Sequence, residues 1–481
     1  MEKYRNFIGG EWTPATTGEV YPIWNPARPG EQIGCFARSS REDAKAAVAA
    51  AASAAPAWAA TPGPLRGAVL HRFAQLLEDS KSELARIITR EQGKALNESL
   101  GEVGRAVVEA RYMAGEASRP IGETYPSERT GFSCKTVREP LGVVAAICPW
   151  NFPVVTPVRK VAPALAYGNT VVLKPASLTP WSAVYLTDLF DKAGLPPGVL
   201  NLVTGPGSGV GDELVSDHRV RGITFTGSTE IGARVAEGAA RRFASVQLEM
   251  GGKNPAIVID CADLESAARE IVPAAFLCSG QRCTALSRVI VAESQADELV
   301  ENLRALIEAI RTGDGLADGT TMGPLVSRAQ FDIVAAYVRQ GVESGCELVC
   351  GGQPLVDDPG RDGYFFTPTL FDRVTPESPL ATEEIFGPVL PVIQARDADQ
   401  ALQVANSTRY GLAASVFTSR ADLERRFAAE IESGMIHLNH GTASQAHVPF
   451  GGRKDSGCGP FSIGPTARDF FTAVKVVYTK W

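Results

Sequence analysis

The chain has 481 residues, of which 44% are hydrophobic and 21% charged, and its formal net charge is −7. This is ordinary globular usage, and the length allows about two to four domains with buried cores. The acidic balance argues against a nucleic-acid or anionic-membrane surface, so a small-molecule partner is expected.

Apolar runs and cysteine usage indicate the compartment. The first residues, MEKYRNF, lack the apolar core of a secretory signal, and no run reaches the roughly eighteen apolar residues of a membrane span. Nine scattered cysteines are typical of a reducing compartment, so a cytoplasmic protein is predicted. Cys346 and Cys350 have helical spacing, but no histidine or further cysteine completes a ligand set, and no metal site is predicted.

Helical periodicity dominates the chain from about residue 42 to residue 118. Residues 39–42 (SSRE) have the pattern of a capping box that opens an amphipathic surface helix, which is expected to stop near Pro56. Two long amphipathic helices are predicted over residues 65–93 and 96–117. These segments are interpreted as packing elements.

Short apolar runs then alternate with helical segments. The predicted strands are residues 143–147, 170–173, 200–203, 222–225 and 246–248, with helices near 156–167, 182–193 and 212–216 and one more before the last strand. This rhythm predicts an α/β fold with a parallel, doubly wound sheet that binds its ligand at the carboxyl ends of the strands. A mononucleotide or dinucleotide is the expected ligand.

A second α/β region is predicted from about residue 257 to residue 444, and its boundary with the first is placed near Gly251 and Gly252. Its predicted strands are residues 288–292, 348–350, 390–394, 413–418 and 435–438. Residues 132–137 and 470–478 also have strand character but no obvious partner nearby. Edge strands of this kind often pair with another subunit.

Several strand ends carry candidate ligand-binding residues. Residues 205–211 contain alternate glycines and fail the G-x-G-x-x-G spacing, whereas residues 225–232 leave a strand and open a helix that could bind a pyrophosphate. Lys174 ends another strand, where ribose hydroxyls or a phosphate would lie. Asn151, in the turn 149–153, could donate to a developing oxyanion. Taken singly, the glycine-rich loops and the turn 149–153 are better explained as structural turns, and Lys174 is otherwise a solvated strand end.

Cys283 and Glu249 offer a nucleophile and a base. A free thiol with a pKa of about 8.5 is only a few per cent thiolate at neutral pH, so a catalytic cysteine needs surroundings that lower its pKa. Arg282 and the flanking main-chain amides are the candidates for that effect.

Seven motifs, in order along nearly the whole chain, resemble those of the NAD(P)-dependent aldehyde dehydrogenase superfamily. They are residues 149–153 (PWNFP), 174–175 (KP), 225–232 (FTGSTEIG), 248–255 (LEMGGKNP), 280–283 (GQRC), 383–389 (EEIFGPV) and 449–452 (PFGG). The resemblance implies a Rossmann-like doubly wound cofactor domain, an α/β catalytic domain and a small β oligomerisation element that forms a homodimer or homotetramer. Their expected ranges are residues 1–120 and 141–250, residues 251–460, and residues 121–140 with 461–481, respectively.

The resemblance also implies residue roles. Cys283 would attack the aldehyde, the Asn151 amide and the Cys283 main-chain N–H would hold the oxyanion, and Glu249 would activate water to hydrolyse the resulting thioester. The cofactor would be NADP or NAD, with Lys174 at the adenosine ribose, Gly227 and Ser228 at the pyrophosphate, Glu384 and Phe386 at the nicotinamide ribose, and Trp150 beside it.

One departure concerns the cofactor. Three positions after Lys174, where many NAD-preferring relatives have a glutamate, this chain has Ser177. A carboxylate there would repel a 2′-phosphate by about 4 kcal/mol at an effective dielectric constant of about 20. We therefore include Ser177 in the cofactor site and predict that NADP is accepted or preferred.

For the substrate, Arg159 matches an arginine that semialdehyde dehydrogenases similar to the succinate-semialdehyde type direct toward a carboxylate, which implies a semialdehyde of succinate or 2-oxoglutarate. The second arginine of those relatives falls on Leu277. Arg282 is the candidate replacement, and Gln445 and His447 are expected at the mouth of the pocket. A helix-surface role for Arg159, with a general aliphatic or aromatic aldehyde as substrate, is the alternative.

Other readings remain open at this stage. Cys278 is interpreted as a buried small residue, with a redox role as the alternative. A cofactor-independent thiol esterase could use Cys283 and Glu249, but it leaves Lys174 and Glu384 unexplained. A non-enzymatic descendant would be expected to lose the nucleophile or the base, and both are present.

Overall fold

The computed structural model describes residues 2–119, 122–355 and 362–481. Ile121, with which the predicted oligomerisation element begins, lies outside these ranges, as do Met1 and Pro120 of the predicted cofactor domain.

Helices and strands alternate along most of the described chain. The helices are α1 (Arg41–Ala60), α2 (Gly63–Asp79), α3 (Lys81–Gln92), α4 (Leu96–Glu116), α5 (Val155–Ala166), α6 (Trp181–Lys192), α7 (Asp212–Ser216), α8 (Thr229–Ala240), α9 (Leu264–Phe276), α10 (Glu293–Glu308), α11 (Arg328–Glu343), α12 (Pro379–Thr382), α13 (Ala398–Asn406), α14 (Ala421–Glu430) and α15 (Ala467–Phe471). Within the described residues, none of them combines the length and apolar character needed to cross a bilayer.

The strands form two large sheets and several small ones. They are β1 (Lys3–Tyr4), β2 (Asn6–Ile8), β3 (Glu11–Thr13), β4 (Val20–Asn25), β5 (Arg28–Ala37), β6 (Thr124–Tyr125), β7 (Phe132–Pro140), β8 (Val143–Ile147), β9 (Thr170–Lys174), β10 (Leu200–Leu202), β11 (Val220–Thr226), β12 (Ser245–Glu249), β13 (Asn254–Val258), β14 (Leu286–Ala292), β15 (Glu347–Cys350), β16 (Thr369–Asp372), β17 (Val389–Ala395), β18 (Tyr410–Gly411), β19 (Ala413–Phe417), β20 (Met435–Leu438), β21 (Arg453–Lys454), β22 (Gly457–Cys458) and β23 (Thr472–Lys480).

The N-terminal helices differ from prediction at their ends. The capping box starts one residue later than predicted, because Ser40 is the N-cap and Asp43 completes the box. Helix α1 also continues through Pro56 instead of stopping there, since the next turn buries Trp58, whose indole N–H donates to the Leu165 carbonyl at 3.2 Å. The single helix predicted over residues 65–93 is broken at Ser80 into α2 and α3.

The first large sheet has the order β22-β12-β11-β8-β9-β10-β2-β3, and its five central strands, β8 to β12, are parallel. All five strands predicted between residues 143 and 248 are confirmed. Helices α2–α6 bury one face of the sheet, and α1, α7 and α8 bury the other. This double burial explains why its strands are nearly continuous runs of small and β-branched residues.

The second large sheet has the order β15-β16-β17-β14-β13-β19-β20 and contains all the strands predicted for that region. Helices α9 and α10 cover one face and α11–α14 the other. The link between the two sheets runs from Glu249, which ends β12, to Asn254, which begins β13, and contains Gly251 and Gly252. Strand β22 later returns the chain to the first sheet beside β12.

The partner of residues 132–137, which was not obvious in the sequence, is the C-terminal segment, so both parts of the predicted oligomerisation element contribute to one small sheet. Strands β7 and β23 pair with each other, antiparallel over nine residues, from Thr472 opposite Pro140 to Lys480 opposite Phe132. Residues 470–471, predicted as strand, instead end helix α15, where Phe470 and Phe471 are buried in the core. Strand β23 is an edge strand of this small sheet.

Candidate active site

The carboxyl ends of neighbouring strands bring the first candidates together. The register pairs Ile147 with Lys174 and with Phe225, and Thr226 with Glu249. The segments that follow β8, β9, β11 and β12 therefore leave the same edge of the sheet side by side. This is the edge at which open parallel sheets bind ligands.

Cys283 reaches this edge from the second region, in the loop between α9 and β14. The loop is strained, since Cys278, Ser279 and Gly280 all have positive φ angles between 57° and 70°. A Cβ atom on Gly280 would lie 2.2 Å from the Gly387 carbonyl oxygen, so only glycine fits there. Asn254 Nδ2 donates to the Cys283 carbonyl at 2.7 Å and holds the loop against the end of the link.

The thiol of Cys283 lies 3.3 Å from Oε1 of Glu249 and donates to it. Thr226 Oγ1 donates to the other oxygen of that carboxylate at 3.3 Å. Burial, together with the negative charge of Glu249, raises the pKa of Cys283 well above its ordinary value. The expected net lowering of this pKa by Arg282 is wrong, because burial and Glu249 outweigh the attraction between Arg282 and the thiol. The Arg282 guanidinium itself donates to the Ala274 carbonyl and the Thr442 hydroxyl.

Asn151 is buried beside this pair and is held by a charged network that sequence reasoning missed. The Nδ2 of Asn151 donates to the Gln281 main-chain carbonyl at 2.9 Å. The main-chain carbonyl of Asn151 accepts from Lys94 Nζ at 2.6 Å. Lys94 Nζ also lies 2.8 Å from Glu102 Oε2, and both side chains are 1% exposed. The second oxygen of Glu102 accepts from two main-chain amides at the start of α5.

Two cavities, of about 220 and 320 Å³, share Asn151, Thr226 and Cys283 in their walls. The smaller cavity gathers five of the seven predicted cofactor residues, which are Trp150, Gly227, Ser228, Glu384 and Phe386. The larger one contains Glu249, Arg159 and Arg282. A thiol, an acceptor and an amide donor therefore lie where two ligands would meet.

The smaller cavity has the chemistry of a dinucleotide site. Glu384 Oε1 accepts from the Gly252 N–H at 3.0 Å, and burial raises the pKa of this carboxyl to about 7. A side chain at Gly251 would collide with the same carboxylate, since a Cβ there would lie 1.9 Å from Oε2. Ser228 is the N-cap of α8, which directs the first amides of that helix toward the loop where a pyrophosphate would bind.

Lys174 and Ser177 are not among the residues that line this cavity. Lys174 is buried at the end of β9, its Nζ donates to the Pro175 carbonyl at 3.1 Å, and burial lowers its pKa to about 8. Ser177 Oγ donates to the Gly205 carbonyl at 2.8 Å, in the turn after β10. Both residues therefore lie farther along the same edge of the sheet, beyond β8, the strand that precedes Asn151.

In the larger cavity, the helix-surface interpretation of Arg159 is wrong. Arg159 is 8% exposed and binds Glu109 through Nη2 at 2.7 Å and Nε at 3.2 Å. Burial opposes its charge, but attraction to Glu109 outweighs it, so the pKa of Arg159 is raised. Its guanidinium also lies over the ring of Phe450, 4.6 Å from the ring centroid. Leu277 lines the same cavity.

The predicted mouth residues Gln445 and His447 are exposed and are not among the residues lining either cavity. From this loop, Ser444 lines the larger cavity instead. No signal in the sequence distinguishes these positions, because the loop has no regular period. Arg105, on α4, is a second lining residue that sequence reasoning missed.

Cys278 is 2% exposed, and burial raises the pKa of its thiol to about 11, as expected of an inert buried residue. A redox role for it stays untested. In residues 2–119, 122–355 and 362–481, no three or more His, Cys, Asp or Glu side chains are grouped so that they could hold a metal ion.

Comparison with known proteins matches residues 12–477 to the model of the Aldehyde dehydrogenase family. The chain is 43% identical to an alpha-ketoglutaric semialdehyde dehydrogenase of Bacillus subtilis (strain 168), over 99% of this chain and 98% of the relative. It is 38% identical to the NADP(+) succinate-semialdehyde dehydrogenase of Escherichia coli (strain K12), over 94% and 93%. The structure of a betaine aldehyde dehydrogenase from Staphylococcus aureus, in complex with NAD+, superposes with a TM-score of 0.96 at 32% identity, over 99% and 94%.

The Lys94–Glu102 pair predicts a large loss of stability when one partner is removed. In Lys94→Met the Glu102 carboxylate stays buried without its counter-charge, so the free energy of unfolding should fall by about 3–5 kcal/mol. Thermal denaturation measures the change. Lys192→Met, which breaks the surface pair with Asp188, is the matched control and should change little. Equal melting temperatures for the two variants would contradict the role of the buried pair.

The raised pKa of Cys283 predicts how its reactivity depends on pH. Alkylation by iodoacetamide follows the thiolate, so its rate should rise with pH, and Glu249→Gln should shift the midpoint to lower pH because the neighbouring negative charge is gone. The rate is measured by mass spectrometry as the alkylated fraction of the Cys283 peptide over time. Glu237→Gln, on the surface of α8, should leave the midpoint unchanged. An unchanged or higher midpoint in Glu249→Gln contradicts the assignment.

Proposed function

Because the chain belongs to the aldehyde dehydrogenase family, we propose that this NAD(P)-dependent enzyme oxidises a carboxylated semialdehyde, of the succinate or 2-oxoglutarate type, to the dicarboxylic acid. The observation that supports the substrate class is the buried guanidinium of Arg159 in the cavity that contains Cys283. A guanidinium binds a carboxylate through two parallel hydrogen bonds. The relatives from B. subtilis and E. coli are named for substrates of this kind.

The reaction begins with the thiol. Glu249 Oε1, at 3.3 Å from Sγ, is placed to take the proton of Cys283, which then attacks the aldehyde carbon and forms a thiohemiacetal. The negative charge develops on the former carbonyl oxygen. Asn151 uses one N–H for the Gln281 carbonyl, and its second N–H, with the main-chain N–H of Cys283, is available to that oxygen.

When bound, NAD(P)+ would accept a hydride from the substrate carbon. Cys283 then holds the acyl group as a thioester. Glu249 releases the thiol proton to solvent, takes a proton from the water that attacks the thioester, and returns it to the departing Cys283 sulfur. Thr226 keeps the carboxylate oriented through Oε2 while Oε1 changes partner from the thiol to water. The products are the acid and the regenerated thiol.

The cofactor would lie along the sheet edge, with Trp150, Gly227, Ser228, Glu384 and Phe386 at its nicotinamide half and pyrophosphate. Lys174 and Ser177 would bind the adenosine ribose. The Ser177 hydroxyl donates its one proton to the Gly205 carbonyl, so its support for a 2′-phosphate lies in its small size and in the absence of a carboxylate that would repel the phosphate near the Lys174 ammonium. This arrangement supports the use of NADP.

We also propose a cytoplasmic homodimer or homotetramer. Supporting this assembly, the edge strand β23 carries exposed apolar side chains, with Val474 56%, Val476 52% and Tyr478 72% exposed. The proposed division assigns residues 1–120 and 141–250 to the cofactor domain, 251–460 to the catalytic domain, and 121–140 with 461–481 to the oligomerisation element.

A general aliphatic or aromatic aldehyde is the second candidate substrate, favoured by the apolar side chains of Phe152, Val155, Leu277 and Phe450 in the same cavity. A cofactor-independent esterase would use the same nucleophile. It would give no purpose to the buried Glu384 carboxylate in the adjoining cavity.

An aldehyde panel with both dinucleotides tests the proposed function. Succinate semialdehyde should be oxidised with a higher kcat/KM than butanal, and Arg159→Ala should lower kcat/KM for the semialdehyde by about 10–100-fold while changing that for butanal less than threefold. The exposed Arg304→Ala is the control, and Cys283→Ser should abolish oxidation of both. Equal losses on both aldehydes in Arg159→Ala would rule out carboxylate recognition.

Cofactor choice is tested by Ser177→Glu. The new carboxylate repels a 2′-phosphate, so kcat/KM for NADP should fall at least tenfold while that for NAD is kept or raised. Steady-state rates with the two cofactors measure the ratio, and Ser177→Ala, which adds no charge, is the matched variant. Strong preference of the unaltered enzyme for NAD would contradict the assignment of this position.

A further inference from the structure

A second guanidinium lies in the substrate cavity, on an element that carries none of the motifs. Arg105, in the middle of α4, lines the larger cavity together with Arg159 and Cys283. Its Nε donates to Glu109 Oε1 at 3.0 Å, and its Nη2 donates to Ser444 Oγ at 3.2 Å. The side chain is 25% exposed, which places it between the buried Arg159 and the solvent.

Glu109 lies between the two arginines and binds both through the same oxygen. Oε1 accepts from Arg105 Nε at 3.0 Å and from Arg159 Nη2 at 2.7 Å. Within this group of three, two cations and one anion leave one excess positive charge, in a cavity that also contains the Glu249 carboxylate. The shared carboxylate also holds the two planar guanidinium groups close to each other.

Both arginines keep donors that the protein does not use. Among the described residues, the Nη1 groups of Arg105 and Arg159 contact no hydrogen-bond acceptor, and neither is a fully buried unpaired atom. These N–H groups are therefore open to the cavity or to solvent. A ligand carboxylate entering the cavity would meet donors from two different helices, α4 and α5.

The need for a second cation follows from the sequence. Arg159 directs Nε and one N–H of Nη2 to Glu109, so that side of the guanidinium is occupied and only Nη1 and the second N–H of Nη2 are left for a ligand. Leu277, where related semialdehyde enzymes carry their second arginine, contributes only apolar surface to this cavity. Arg282 directs Nη2 to Ala274 and Thr442 and buries its Nε, which leaves only its Nη1. Among the arginines in the cavity wall, Arg105 is the one that shares an acceptor oxygen with Arg159.

We propose that Arg105 binds the carboxylate of the substrate together with Arg159, and thereby determines specificity for ω-oxo acids. Ser444 and Glu109 act as positioning residues, since each holds the Arg105 side chain from a different direction. This inference rests on the proposed function, because it names a recognition residue of that same site.

Kinetics with paired aldehydes test the role of Arg105. In Arg105→Gln, KM for succinate semialdehyde should rise about tenfold or more, kcat should change less than threefold, and kcat/KM for butanal should stay within twofold. Arg105→Lys keeps the charge and should recover part of the loss. Arg111→Gln, on the same helix and paired with Glu78 at the surface, is the control and should match the unaltered enzyme.

A second measurement uses succinate as an inhibitor of butanal oxidation. Its inhibition constant should rise at least tenfold in Arg105→Gln and less than twofold in Arg111→Gln.

If Arg159→Ala loses semialdehyde preference and succinate inhibition while Arg105→Gln keeps both, the inference is overturned and the proposed function stands. If the unaltered enzyme shows no semialdehyde preference, the proposed substrate fails, and the succinate measurement alone decides whether Arg105 binds anions. If Arg105→Gln folds poorly, Ser444→Ala replaces it as the test, because this variant removes only the hydrogen bond to Nη2 of Arg105. We expect Ser444→Ala to raise KM for the semialdehyde and to leave KM for butanal unchanged.

Discussion

The contact between the thiol of Cys283 and the carboxylate of Glu249 is the constraint on which the site depends. The carboxylate ends a strand of the first sheet, whereas the thiol comes from a loop of the second region, and the two atoms are 3.3 Å apart. Proton transfer across such a distance requires the two regions to be fixed relative to each other within a fraction of an ångström. Much of the surrounding structure can be understood as meeting that requirement.

Hydrogen bonds and one close packing contact fix the link between the sheets. Gly252 donates its N–H to Glu384, Asn254 donates to the carbonyl of Cys283, and Gly280 packs on the carbonyl of Gly387 with no room for a Cβ atom. Glu384 and Cys283, which these contacts hold, both line the smaller cavity. Positive φ angles at Cys278, Ser279 and Phe386 show that both contacting segments carry backbone strain. Strain of this kind persists only where the packing around it leaves no alternative.

The parallel strands were predictable because both faces of each sheet are buried. A strand buried on both faces is a continuous apolar run in the sequence, as in Val143–Ile147. Side chains at their carboxyl ends, including Asn151, Lys174 and Glu249, were placed correctly for the same reason. The pairing of β7 with β23 was not predictable from strand patterns, since more than 300 residues separate the two strands and neither carries a turn signal toward the other; only the family resemblance joined the two segments. The direction of the pKa shift at Cys283 was also missed, because burial and the contact with Glu249, which only the folded chain shows, outweigh the charge of Arg282.

Charged residues of α4 and of the turn before it escaped prediction for a different reason. Arg105 and Glu109 have the i,i+4 spacing of a surface ion pair, and Lys94 and Glu102 give no pairing signal, yet the structure buries most of these side chains beside the active site. Removing charges from water is costly, and an apolar set of the same volume would often be equally stable or more so. Function explains why such a cluster would be kept: Lys94 and Glu102 are neutral as a pair and hold the Asn151 turn, whereas Arg105, Arg159 and Glu109 leave one unmatched positive charge. This group offers a local cationic partner to an anionic substrate, in a cavity that also contains the carboxylates of Glu98, Glu102 and Glu249.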